Sequence, residues 1–223
     1  MSFLPGWYPG VAGGVKTLTQ ALSTTTSGIG GSPIAALTAP GGILKGDILV
    51  MMERGRGNTF LVPAATPPGF TNLTSTGLDT DRQMISYKLA LGTESGTDLS
   101  GLTHSEAMSV VRLLYVFRGD SEVFVITPST PLTEMTAGDP ASQNIAASGI
   151  ATPLVAIAGF GCNATVTTRS FSPAADGEIT NSSTNNFAYL DYKIYNSSPA
   201  NITADMADFG AENALHSFYL RAA

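Results

Sequence analysis

Between Met108 and Arg118 the chain alternates without a break. Val111, Leu113, Tyr115 and Phe117 fall on one side of an extended strand, and Val110, Arg112, Leu114 and Val116 on the other. Residues two apart share a face of a strand. Both sides are largely apolar, which predicts a central strand covered on both faces for much of its length. Gly119-Asp120 ends it with turn chemistry. The same pattern predicts strands over 47–53, 83–91, 154–160, 187–195 and 214–221. Shorter strands are expected at 70–75, 123–126 and around Phe171. The 24 Gly and 13 Pro punctuate the chain too often for long helices. Many short strands separated by turns predict an all-β chain, read here as a jelly-roll-like antiparallel β-sandwich.

An internal repeat underlies that reading. Ile48-Leu49-Val50 parallels Pro153-Leu154-Val155, and Tyr87-Lys88 parallels Tyr192-Lys193, with Val50 and Val155 each 37 positions before its tyrosine. Tyr115 and Tyr219 follow as a third pair, and Gly69-Phe70-Thr71 loosely matches the stretch from Gly177 to Thr180. The expectation is two similar four-strand halves, roughly 45–120 and 150–223, sharing one core about 10 Å thick. Residues 33–223 would form the sandwich domain, and residues 1–32 an N-terminal arm and linker.

The arm has its own character. Residues 1–14 carry no charge and include Phe3, Tyr8 and Trp7, the chain's one tryptophan. Pro5 and Pro9 stiffen the segment and limit the entropy lost on ordering, and Trp and Tyr are favoured interface anchors. Phe3, Leu4, Pro5, Trp7, Tyr8 and Pro9 are therefore the candidate partner-binding residues; the alternative is that the arm folds back on its own sandwich. Residues 23–32, rich in Ser, Thr and Gly, read as a linker or exposed loop.

Charge excludes several functions. Charged residues make up 13%, against roughly 25% in ordinary soluble domains. The net charge is −6 and the sequence pI about 4.7, which disfavours a polyanionic partner such as nucleic acid. Arg54-Gly55-Arg56 is the nearest thing to a basic cluster and reads as a solvated hairpin tip. No window is long and apolar enough for a membrane-spanning helix, and the N-terminus lacks the basic and apolar regions of a secretion signal. Cys162, the single cysteine, has apolar neighbours and reads as a small core residue.

Catalytic patterns are not found. His216 sits in a predicted strand beside Phe218 and Leu220, as a structural histidine would. His104, Ser105 and Glu106 are adjacent, so their side chains diverge and cannot form a triad, and no nucleophile elbow occurs. Asp79, Asp81, Asp98 and Asp139 lie in loops without calcium-ligand spacing, and Asp79-Thr80-Asp81 reads as a turn. Glu53, Glu94, Glu122, Glu134, Glu178 and Glu212 mostly sit beside turns, which suits solvated residues; a glycosidase pair cannot be recognised without geometry. Gly28-Ile29-Gly30-Gly31 lacks the strand-to-helix context of a phosphate loop. No cofactor, metal site or enzyme activity is read from the sequence.

Four stretches carry a family resemblance: 39–50 (APGGILKGDILV), 67–71 (PPGFT), 87–90 (YKLA) and 116–119 (VFRG). Together they resemble β-sandwich modules of tailed-bacteriophage virion proteins, which recur in head-decoration, head-fibre and tail proteins. The likeness covers residues 33–120, and the second half only through the repeat. It implies a structural protein of the virion, made in the host cytoplasm, with other virion proteins and further copies of itself as partners. It brings no catalytic residues with it. The alternative is a carbohydrate-binding adhesin whose loops present Tyr, Asn and Asp to a host glycan.

Overall fold

The computed structural model describes residues 17–30, 36–57, 68–78, 81–99, 108–119, 124–128, 141–145, 149–162, 168–183, 186–197, 199, 201–207 and 214–222. Among them are thirteen strands and no helix. They run β1 (Leu18–Gly30), β2 (Ile48–Gly57), β3 (Thr71–Leu78), β4 (Asp81–Leu89), β5 (Met108–Gly119), β6 (Phe124–Pro128), β7 (Ala141–Ile145), β8 (Leu154–Cys162), β9 (Thr168–Ser172), β10 (Gly177–Ser183), β11 (Asn186–Tyr195), β12 (Ile202–Ala207) and β13 (Ala214–Ala222). They pair antiparallel into a first sheet ordered β1-β5-β2-β4-β3, a second ordered β10-β11-β8-β13-β6 and a third ordered β7-β12-β9. The all-β antiparallel sandwich expected from the alternation is what forms.

The layering goes beyond a single shared core. Ile48, Val50, Met52, Ile85, Val111, Leu113, Tyr115 and Phe117 of the first sheet meet Val155, Ile157, Ala188, Leu190, Tyr192, Phe218 and Leu220 of the second. Tyr115, Phe117 and Tyr192 lock together there, with ring centroids 5.0–5.6 Å apart. The opposite face of the second sheet presents Leu154, Ala156, Phe160, Leu215 and Tyr219 to Ile145, Phe171, Ile202, Ala204 and Met206 of the third. Every residue of β8 is buried. A third core covers the outside of the first sheet, where Leu37, Ala39, Ile43 and Leu99 lie on Leu49, Met51, Leu114 and Val116. Met108–Gly119 is thus covered on both faces over much of its length, as its sequence predicted.

That outer cover is itself sheet-like. Ala39 N donates to Thr97 O (2.8 Å), Gly96 N to Ala39 O (3.0 Å) and Leu99 N to Leu37 O (2.9 Å), around an antiparallel bridge between Thr38 and Asp98. In the second half, β7 and β12 pair antiparallel over the second sheet in the same manner. The two large sheets also share a strand order. With β6, β8, β10, β11 and β13 taken as first to fifth, both read first-fifth-second-fourth-third. Each large sheet has five strands, not four.

Three expectations need correction. The strand path differs from a simple jelly roll, because β1–β5 complete one sheet before the next begins, whereas β6 to β10 alternate between the second and third sheets. Residues 18–30, expected within an arm and linker, form β1, paired along its length with β5. Threonine suits an extended backbone packed against a neighbour, so a Thr/Ser run becomes a strand once β5 offers it a ladder. The repeat landmarks also slip. Val50 lies opposite Tyr87 and Tyr115, but Tyr192 and Phe218 lie opposite Ile157, not Val155. Tyr115 faces the second sheet and Tyr219 faces the third. A one-residue offset exchanges the faces of a strand, so these two tyrosines are not counterparts.

Glycines on β8 set how closely the large sheets approach. A Cβ at Gly159 would lie 2.9 Å from Ile85 Cδ1, and one at Gly161 would overlap Gln83 Oε1 and lie 2.7 Å from Arg54 Cδ. Gly161→Ala is expected to cost about 1–3 kcal/mol through overpacking. Gly41→Ala, with nothing within 4 Å, is expected to leave stability near wild type. Urea denaturation midpoints of the two variants check both.

Candidate functional site

The candidate arm residues Phe3, Leu4, Pro5, Trp7, Tyr8 and Pro9 lie outside the described residues, as do His104, Ser105, Glu106, Asp79, Asp139, Glu122, Glu134 and Glu212. The structure places the remaining polar candidates in four groups.

The first lies between the two large sheets. On the inward faces of β2 and β8 the side chains change from aliphatic to Arg54 on one strand and glycine on the other, which leaves room for long polar groups. Arg54 is 1% exposed, so it is a core residue and not a solvated hairpin tip. Gln83 Nε2 donates to Gly159 O (3.2 Å) and lies 3.4 Å from His216 Nδ1. Asn186 Nδ2 donates to Arg54 O (3.2 Å) and Ser109 O (2.9 Å), and Ser109 Oγ donates to Ser183 O. These bonds pin the two sheets together. Burial, with the Arg54 charge adding to it, pushes the His216 imidazole down to about 4.

The second group lies on the outer face of the first sheet. Glu53 and Arg112 are register partners on β2 and β5, and Arg112 Nε donates to Glu53 Oε2 at 2.5 Å. Both are buried, so the expectation of a solvated Glu53 fails. Glu94 is likewise 3% exposed. It accepts from the amides of Leu91 (2.9 Å), Gly92 (2.9 Å) and Thr93 (3.0 Å) and pairs with Lys88 (3.0 Å). Burial opposes its ionisation, but the Leu91 amide and Lys88 outweigh it and hold the carboxyl near 2, at about 2. Asp47 takes a two-pronged bond from Arg118, 2.7 Å at each oxygen, and accepts from Leu44 N (2.8 Å). Glu94 and Asp47 thereby tie the outer cover to the strands beneath it.

A third group joins β7 to β13. Gln143 Nε2 donates to Leu215 O (2.8 Å), and Ser217 Oγ donates to Gln143 Oε1 (2.6 Å). Cys162 is fully buried nearby in the second core, as its neighbours implied.

The fourth group reaches the surface. Arg169 on β9 bonds Asp191 on β11 (3.0 Å) and pairs with Glu178 on β10, while its guanidinium lies 4.2 Å from the Tyr189 ring centroid. Asp191 is 4% exposed, and burial pushes its carboxyl up to about 6 against the pull of Arg169. Glu178 stands at the rim, 46% of its side chain open to solvent. A carboxylate, a guanidinium and a stacked aromatic at one rim can hydrogen-bond polar groups of a ligand.

Among the described residues no group of three or more His, Cys, Asp or Glu is placed to hold a metal ion, and no helix is long and apolar enough to cross a membrane. The fold and these groups define an antiparallel β-sandwich protein whose buried charges brace one strand or layer against another. No family model, curated protein or solved structure matches the chain.

Two tests follow from the buried groups. His216 binds a proton near pH 6.5 when unfolded and near 4 when folded, so its neutral form favours folding. Its contribution is fully present above pH ~6.5 and is lost as pH falls toward 4, by up to ~3 kcal/mol. His216→Gln should flatten that part of the profile relative to wild type, in urea midpoints taken from pH 7 to 4. The difference between the two curves isolates His216 from Asp191, whose raised value acts in the opposite direction. Arg112→Met should cost about 3–5 kcal/mol by taking a partner charge away from the buried Glu53, and Glu53→Leu with Arg112→Met should recover most of it. A double-mutant cycle in urea measures the recovery.

Proposed function

We propose that this chain is a structural protein of the surface of a tailed-phage virion, attached to the capsid or tail through its N-terminal arm. One observation carries the reading: buried charged and polar groups on at least three faces are engaged in bracing, as Asp47–Arg118, Glu53–Arg112 and Glu94–Lys88 brace the first sheet and its cover. Layered sheets tied in this way suit a load-bearing unit that meets its neighbours through its arm and edges. The resemblance of residues 39–50, 67–71, 87–90 and 116–119 to virion sandwich modules points the same way. The role is scaffolding, with other virion proteins as partners and the assembled particle as its location. The uncharged, proline-stiffened segment with Phe3, Leu4, Pro5, Trp7, Tyr8 and Pro9 supplies anchor chemistry for a partner's apolar groove.

A second reading is a carbohydrate-binding adhesin on the same particle. The rim group of Arg169, Glu178 and Asp191 favours it, since planar charged groups beside an aromatic ring match sugar hydroxyls. Glycan-array signal lost in Glu178→Ala would support it, and silence across host polysaccharides would remove it.

Mass spectrometry of purified particles tests the main reading, which absence of the chain would sink. Deleting residues 1–14 is expected to leave the thermal unfolding transition intact and abolish incorporation into particles. A truncated chain that unfolds would assign the arm to the core instead.

A further inference from the structure

Sheet edges expose rows of backbone N–H and C=O groups, and natural proteins block them with short strands, charges, proline or bulges. Among the described residues the edge strands are β1 and β3, β10 and β6, and β7 and β9. Five of the six carry such a device along a strand of five to eight residues. β6, β7 and β9 are each five residues long, β6 ends in Pro128 and β9 carries Arg169. β10 carries Glu178, and β3 is interrupted by a bulge between Asn72 and Thr74.

β1 is the exception. It is the longest strand, 13 residues without a charge or a proline. Its one irregularity lies between Gln20 and Leu22, after which Leu22–Gly30 stays in unbroken register with β5. Its inward side is already occupied: Thr25 Oγ1 accepts from Asn181 Nδ2 of β10, which packs beneath β1. Leu22 packs into the outer core, and Thr24 and Thr26 share its face by alternation. One ladder direction is filled by β5, and among the described residues the other has, beyond the bulge at Gln20–Leu22, no charge, proline or short length to protect it.

The geometry points to β1 as a pairing edge for β1 of a second copy of this chain, in antiparallel register about a twofold axis near Thr24–Thr26. Charge selects this occupant. A strand with no charge meets no like-charge opposition from its own copy, whereas β9 and β10 present Arg169 and Glu178. Threonine opposite threonine is a favourable cross-strand pair, contributing roughly 0.2–1 kcal/mol. Self-pairing also closes the assembly, since it uses the same edge of both subunits and leaves no unpaired β1. The two first sheets then become one continuous sheet of ten strands. This holds whether or not the chain sits on a virion.

Analytical ultracentrifugation of the full chain tests it, alongside the double variant Thr24→Lys/Thr26→Lys, which sets four lysines together at the pairing edge. The wild type is expected at twice the 23.0 kDa chain mass and the variant at half that value, with a single cooperative melting transition that no longer depends on concentration. Hydrogen exchange supplies a reading independent of the variant's folding: β1 amides should gain protection as wild-type concentration rises through dimerisation, while β3 amides do not. A wild-type monomer, a folded dimer that survives both lysines, open-ended larger species, or β1 exchange insensitive to concentration would each overturn the proposal.

Discussion

The strand Leu154–Cys162 has water on neither side, and the surrounding layers are arranged around that constraint. A sheet buried on both faces must present apolar side chains in both directions and satisfy its backbone within its own ladder. β8 meets this with two different faces. Leu154, Ala156, Ala158, Phe160 and Cys162 turn toward the third sheet, and Val155, Ile157, Gly159 and Gly161 turn toward the first. The glycines admit Met52, Arg54, Ile85 and Gln83 from the first sheet, so backbone economy on one strand is matched by side-chain length on two others.

The charged groups follow from the same burial. An ion taken out of water is tolerated when a partner and hydrogen bonds replace the lost solvation. Arg112 has Glu53, Asp47 has Arg118 and the Leu44 amide, and Glu94 has Lys88 and three backbone amides. The Arg112–Glu53 and Arg118–Asp47 pairs join segments far apart in sequence and so fix register and layer placement, while Glu94 holds its own loop to β4. His216 differs because burial, with the Arg54 charge adding to it, disfavours its protonated form, which makes the junction of the two large sheets sensitive to acid. Arg169 differs again, because it reaches from the third sheet to the second at a rim where Glu178 remains accessible.

Much of the strand content was legible. β2, β4, β5, β8, β11 and β13 announce themselves by alternating or continuous apolar residues bounded by Gly, Pro or Asp. β12 carried a readable signal as well, since Ile202, Ala204 and Met206 alternate and are buried on one face. β1 was not legible, because a Thr/Ser/Gly run has the composition of a linker and becomes a strand only beside β5. The polar core was hidden for a similar reason. Arg54 and Glu53 stand near glycines and look solvated in sequence, yet pairing places one between the large sheets and the other beside Arg112 on the outer face of the first sheet, both buried. Their burial is decided by residues at positions 83, 112, 159 and 161, which no local window contains.

The sequence by itself determined the class of structure. Period-two alternation and dense Gly/Pro punctuation permit strands and exclude long helices, because they act through local backbone geometry. Only the tertiary structure decided how many layers stack, that β8 is covered on both sides, which offset relates the two large sheets, and which ions meet. Those outcomes depend on the close approach of distant segments, where a shift of one residue turns every side chain to the opposite face.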